Sequence, residues 1–159
     1  MTPPPTENDI RERTQGVLDD HAGLEGPLLP ILHGLQEEFG YLPADALRIV
    51  ADRLNISRAE VHGVASFYHD FREQPAGRHV VKICRAEACQ SMGGDAIAEH
   101  AEGRFKIGFG ETAPDGSVTL EAVYCLGLCA CAPAAMVDGK VVGRLDEARI
   151  DAIAEEVRA

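Results

Sequence analysis

The sequence predicts an α/β chain in two parts, a helical N-terminal region followed by a small α/β domain that begins near residue 78. Three observations carry that reading. Apolar residues recur at helical spacing from about residue 10 to Arg72, the period turns strand-like after Gln74-Pro-Ala-Gly77, and all five cysteines lie beyond that change, at 84, 89, 125, 129 and 131. The organisation expected is a flexible tail over 1–9, a helical bundle over 10–77 and a cysteine-bearing domain over 78–159.

Residues 1–9, with three consecutive prolines, hold little to bury and suit a polyproline II tail. A weakly periodic helix follows around 9–20. Pro27 fits a first helical position; behind it Leu28, Ile31, Leu32, Leu35 and Phe39 keep helical spacing, and Gly40 is placed as the stop. Pro43 opens a second such pattern through Leu47, Val50, Ala51 and Leu54. Ser57-x-x-Glu60 is a capping box, Ile56 and Val61 stand where a hydrophobic staple needs them, and Val61, Val64, Ala65 and Tyr68 form the stripe expected to be buried. His79–Cys84 is a β-branched strand, and Ser117–Tyr124 alternates with Val118, Leu120, Ala122 and Tyr124 on one face. Asp138-Gly139 between Ala134–Val137 and Lys140–Gly143 predicts a hairpin. A helix is expected over about 91–100, and a last one, capped by Asp146, carries Ile150, Ile153, Ala154 and Val157.

Composition narrows the function. With 26 acidic residues against 15 Lys plus Arg the net charge is −11, which disfavours binding nucleic acid, because that affinity comes from cations displacing counterions at phosphates. The N-terminus lacks the basic start and apolar run of a secretory signal, so a cytoplasmic chain with reduced thiols is expected. The longest uncharged stretch, Ala122 to Val137, is shorter than the roughly 20 residues that span a bilayer and holds three cysteines; it reads as a buried site, with no membrane insertion.

The cysteines pair as Cys84-x4-Cys89 and Cys125-x3-Cys129. Each pair can chelate through one turn, and four thiolates complete the shell of one metal centre gripped from two loops. A [2Fe–2S] cluster, taking two thiolates per iron, leads. A Rieske centre needs two histidines, and none of the six lies within two residues of a cysteine. Structural zinc in an interaction module remains the competitor, although its pairs are more often spaced C-x2-C. Buried thiols without a metal and disulfides stay open as the bland alternatives. A C-x-x-C redox motif is absent, and Cys131 reads as a buried thiol beside the site.

These residues resemble a known family. Cys84-x4-Cys89, Tyr124-Cys125-Leu-Gly-Leu-Cys129-Ala-Cys-Ala-Pro133 and the upstream Val61-His-Gly-Val-Ala-Ser-Phe-Tyr68 are similar to the thioredoxin-like [2Fe–2S] ferredoxin subunit that accompanies the flavin-bearing, NADH-oxidising subunit of complex I and of related soluble dehydrogenases. The resemblance covers about residues 10–158. It implies a thioredoxin-like domain behind the helical bundle, one [2Fe–2S] cluster on Cys84, Cys89, Cys125 and Cys129, no ligand role for Cys131, and FMN and NAD bound by a partner flavoprotein subunit. Within the family, Cys84-Arg-Ala-Glu-Ala-Cys89-Gln-Ser-Met and Phe67-Tyr-His-Asp-Phe71 most resemble the γ subunit of soluble, molybdenum- or tungsten-containing, NAD-dependent formate dehydrogenases. That implies a third, formate-oxidising subunit and no turnover by this chain alone. The equivalent subunits of complex I and of NAD-reducing hydrogenases are the alternatives.

Two other motifs carry less. Gly108-Phe-Gly110-Glu-Thr-Ala113 matches a dinucleotide fingerprint, but Pro114-Asp-Gly follows where a helix must open, so no helix N-terminus faces a pyrophosphate. His62, His69 and Asp70 suit surface or interface contacts better than catalysis.

Overall fold

In the computed structural model, which describes residues 5–158, the first helix, α1 (Glu7–Asp20), starts at Thr6. The Thr6 hydroxyl accepts from the Asp9 N–H, and the Asp9 carboxylate accepts from the Thr6 N–H. The expected tail over 1–9 is therefore cut short: residues 1–4 lie outside the described residues, and 7–9 are helical. Asp in the place of the usual Glu makes this capping box easy to overlook, and only Ile10, Thr14 and Leu18 are buried along α1.

The next helices follow the sequence pattern closely. α2 (Leu28–Phe39) buries Ile31, Leu32 and Leu35 and stops at Gly40, whose φ of 78° lies in the left-handed region that ends helices. α3 (Ala44–Leu54) begins after Pro43 and buries Ala46, Val50 and Ala51. α4 (Arg58–Phe67) carries the expected capping box, with the Glu60 N–H donating to the Ser57 hydroxyl and the Ser57 N–H donating to the Glu60 carboxylate. These bonds hold the Glu60 carboxyl below its ordinary range, so their stabilisation is present at neutral pH and lost as pH falls through that lowered value. Ser57→Ala is expected to cost about 1 kcal/mol, read as a lower urea midpoint at unchanged slope. One expectation fails: Tyr68 leaves the helix as an extended cap and is exposed, so the buried stripe ends at Ala65.

A second compact unit begins at Ala76. It holds β1 (His79–Cys84), α5 (Glu87–Ser91), α6 (Gly94–Phe105), β2 (Glu111–Thr112), β3 (Val118–Val123), a 3-10 turn (Cys129–Cys131), β4 (Ala134–Val137), β5 (Lys140–Gly143) and α7 (Glu147–Glu156). The sheet order is β2-β3-β1-β4-β5. β1 pairs parallel with β3, in register from His79 with Val118 to Cys84 with Val123, and every other pairing is antiparallel. Parallel neighbours need a crossover, which α5 and α6 supply. Val81, Ile83, Val118, Leu120 and Ala135 of the sheet pack with Ile97, Ala101 and Phe105 of α6 and Ile150, Ile153 and Ala154 of α7.

The sequence expectation needs three corrections here. The single helix over 91–100 is two helices, because Gly93 takes a φ of 87° that a continuous helix does not allow. β2 and the 3-10 turn, which no periodicity announced, are two and three residues long. Ala122 and Tyr124 are exposed: β3 buries Val118, Thr119 and Leu120 in succession instead of alternating, and the chain leaves the strand after Val123. The hairpin is as expected, with Asp138 and Gly139 both at positive φ, as its turn requires. Among the described residues no helix is long and apolar enough to cross a membrane.

Candidate metal centre

The parallel pairing of β1 and β3 creates the site. Cys84 is the last residue of β1 and stands in register with Val123, the last of β3; beyond them the Arg85 N–H donates to the Val123 carbonyl at 2.8 Å. Both cysteine loops therefore leave the same end of two adjacent inner strands, the position where open α/β sheets hold their ligands. Cys89 sits on the single turn of α5, its N–H bonded to the Ala86 carbonyl at 2.9 Å. α6 backs directly onto it: a Cβ added at Gly94 would lie 2.5 Å from the Cys89 carbonyl oxygen.

The second loop is bent more sharply. Cys125 has a φ of 121°, a conformation that costs a non-glycine residue about 1–3 kcal/mol and persists only where its surroundings impose it. Gly127, at a φ of 74°, turns its N–H back to the Cys125 Sγ at 3.3 Å. Cys129 then opens the 3-10 turn, and β4 starts beyond the cis Ala132–Pro133 peptide.

The four cysteines of the two pairs come together, and all are free thiols. Cys89 hydrogen-bonds Cys84 and lies in the field of Cys129, while Cys129 hydrogen-bonds Cys125 and lies in the field of Cys84. Burial, followed by the bond to Cys84, pushes the Cys89 thiol up; the bond to Cys125, followed by that thiol's charge, pushes Cys129 up. Metal binding to such thiols must release protons, so acid opposes it. Cys84 and Cys89 are buried at 3% and 2% exposure among Ala86, Val123, Leu126, Leu128, Ala132 and Ala134, whereas Cys125 and Cys129 are exposed. Among the described residues no three His, Cys, Asp or Glu side chains are disposed around one metal ion. The four thiols form two pairs, Cys84 with Cys89 and Cys125 with Cys129, and that donor set fits a binuclear centre in which each iron takes two thiolates.

Cys131, expected as a buried thiol, is half-buried and packs on the end of β5. Its carbonyl accepts from the Arg144 N–H at 2.6 Å, and a Cβ added at Gly143 would lie 2.8 Å from its Cβ. Sequence reasoning missed Gly94 as part of the site, whereas the turn through Gly127 between Cys125 and Cys129, with its N–H directed at sulfur, was legible in the spacing. It also placed a helix start near Ser91, and the structure moves that start to Gly94. The Gly108–Ala113 motif contributes edge strand β2 and no helix. His62 pairs with Glu73 at 3.2 Å.

The family model described as thioredoxin-like [2Fe–2S] ferredoxin matches residues 14–158. A relative from Rhizobium meliloti, named as a subunit of NADH-quinone oxidoreductase, is 37% identical over 150 residues, covering 94% of this chain and 89% of its own. The HndA subunit of the NADP-reducing hydrogenase of Solidesulfovibrio fructosivorans is 36% identical over 132 residues, covering 83% and 77%. Among solved structures, a chain of an NAD+-reducing [NiFe]-hydrogenase in the air-oxidised state superposes with a TM-score of 0.71 at 31% identity, over 83% of this chain. The match spans 23% of that longer chain.

Proposed function

Because the chain belongs to the thioredoxin-like [2Fe–2S] ferredoxin family, we propose that Cys84, Cys89, Cys125 and Cys129 hold one [2Fe–2S] cluster, and that the chain is the electron-transfer subunit of an NAD-dependent formate dehydrogenase complex. The observation that carries the reading is the meeting of two thiol pairs at the ends of adjacent parallel strands. When bound, the cluster supplies storage of one electron. Cys84 and Cys89 anchor it on the apolar side, where water is excluded, and Cys125 and Cys129 carry it to the surface.

That surface is where a partner exchanges the electron. Tyr124, at 73% exposure, and Met92, at 62%, lie next to the second loop and just beyond α5, offering apolar area for contact. The partner proposed is the subunit that binds FMN and NAD, with formate oxidised on a molybdenum- or tungsten-containing subunit. In this division of labour the isolated, cytoplasmic chain turns over neither formate nor NAD. The formate assignment rests on the Arg85-Ala-Glu87-Ala loop and on Phe67-Tyr-His-Asp-Phe71. The names of the relatives favour a second reading, the corresponding subunit of a hydrogenase or of an NADH-quinone oxidoreductase.

Metal analysis tests the cluster. The purified chain is expected to be red-brown, with about two irons and two acid-labile sulfides per chain. Four thiolates on a chain already at −11 disfavour an added electron and predict a potential on the order of −400 mV, as in plant-type ferredoxins. A colourless chain holding one zinc overturns the proposal. Affinity purification of the intact complex decides the rest: formate-dependent NAD reduction supports the first reading, and hydrogen- or quinone-linked activity the second.

A further inference from the structure

We propose that Arg85 tunes the electron affinity of the thiol centre: it follows Cys84 directly in the chain, and its guanidinium is held on Asp95, the neighbour of the Gly94 that packs on Cys89; this rests on the cluster assignment above. Arg85 is tied to both cysteine loops. Its N–H donates to the Val123 carbonyl at 2.8 Å, at the root of the Cys125 loop. Its carbonyl accepts from the Gln90 side chain at 2.8 Å, one residue beyond Cys89. Its guanidinium donates to the Asp95 carboxylate at 2.9 Å, one residue beyond Gly94, and lies over the Phe109 ring at 5.4 Å. Backbone and side chain together allow the charge little freedom to withdraw.

The environment leaves that charge incompletely cancelled. The Arg85 side chain is 28% exposed and its Nε is buried without a hydrogen-bond partner, while Asp95 is 62% exposed. Water screens the carboxylate well and the guanidinium poorly, so the cation contributes the stronger field on the protein side. Arginine stays charged at any working pH, which makes the contribution permanent. A fixed positive charge held in this part of the fold favours the state with one more electron, and the fixed negative charge of Asp95 opposes it. Charge predicts opposite shifts on removing the two partners. Mere support of the loop predicts the same shift for both, because either deletion breaks the same bond.

The test is an equilibrium redox titration of the full chain with its cluster, followed by visible absorption and electron paramagnetic resonance. At the wild-type midpoint, Arg85→Gln is expected to lower the reduced-to-oxidised ratio about fivefold, which is about 40 mV at 59 mV per decade. Asp95→Asn is expected to raise that ratio by a similar factor, and Arg85→Lys to stay within about twofold of wild type. Iron content and the oxidised spectrum should be unchanged in all three. An unshifted Arg85→Gln with a full cluster overturns the proposal, as do shifts of the same sign in Arg85→Gln and Asp95→Asn. If Arg85→Gln fails to retain a cluster, Asp95→Asn decides: a raised ratio supports the proposal, and an unchanged or lowered one overturns it. Failure of the cluster assignment itself would show first in the wild-type iron content.

Discussion

Serine at Cys84, Cys89, Cys125 or Cys129 is expected to remove most of the bound iron and the visible spectrum, whereas Cys131→Ser is expected to keep both. A hydroxyl is a harder and far less acidic donor than a thiol, so replacing one of four thiolates leaves an iron under-coordinated. The two pairs should fail in different ways. At Cys84 and Cys89 the lost ligand also leaves a buried hydroxyl in an apolar pocket of Ala86, Val123, Leu126 and Ala134, which adds an unfolding penalty of about 1–3 kcal/mol if that hydroxyl finds no partner. At Cys125 and Cys129 the side chains are exposed, so stability of the metal-free chain should hardly change while iron is lost. Cys131 is the control, because its backbone packs against Gly143 and Arg144. Iron analysis and urea titration of the five variants read both effects. Iron loss in Cys131→Ser, or a full spectrum in any of the other four, would refute the ligand assignment.

Much of this was legible in the residues, and the reasons differ by element. Ser57-x-x-Glu60, Gly40 and Asp138-Gly139 were readable because capping and tight turns are local: a few side chains satisfy a few backbone groups, whatever the rest of the chain does. The His79–Cys84 strand could be bounded because its six residues hold the β-branched Val80, Val81 and Ile83 and end at a cysteine. Tyr124 was misplaced because alternation says nothing of where a strand stops pairing, and β3 ends one residue before it. The split between α5 and α6 was hidden because glycine is compatible with both a continuous helix and a left-handed break, and tertiary packing chooses. For the site, spacing announced two chelating pairs gripping one centre from two loops, but not which strands pair or in what register. Their meeting depends on the parallel register of Cys84 with Val123, a long-range pairing that only the folded sheet displays. Arg85 escaped for the same reason: its partner Asp95 is fixed by where α6 begins.

Gly94→Ala is expected to disturb the centre from behind. The added Cβ would stand 2.5 Å from the Cys89 carbonyl oxygen and 2.8 Å from its carbonyl carbon, and both are backbone atoms that cannot rotate aside as a side-chain tip would. One helix must move. α6 is pinned by Ile97, Ala98, Ala101 and Phe105, all buried, whereas α5 is a single turn of five residues. α5 therefore yields and carries Cys89 away from Cys84. A loss of about 1–3 kcal/mol is expected from the overpacking, with lower iron content and faster bleaching by a chelator. Gly103→Ala, in the same helix, supplies the control. A Cβ there meets nothing within 4 Å, so the substitution should leave iron content unchanged and stabilise the helix by up to about 1 kcal/mol. If Gly94→Ala matches wild type in both iron and urea midpoint, then α6 does not set the position of Cys89, and the α5 turn alone must hold that ligand in place.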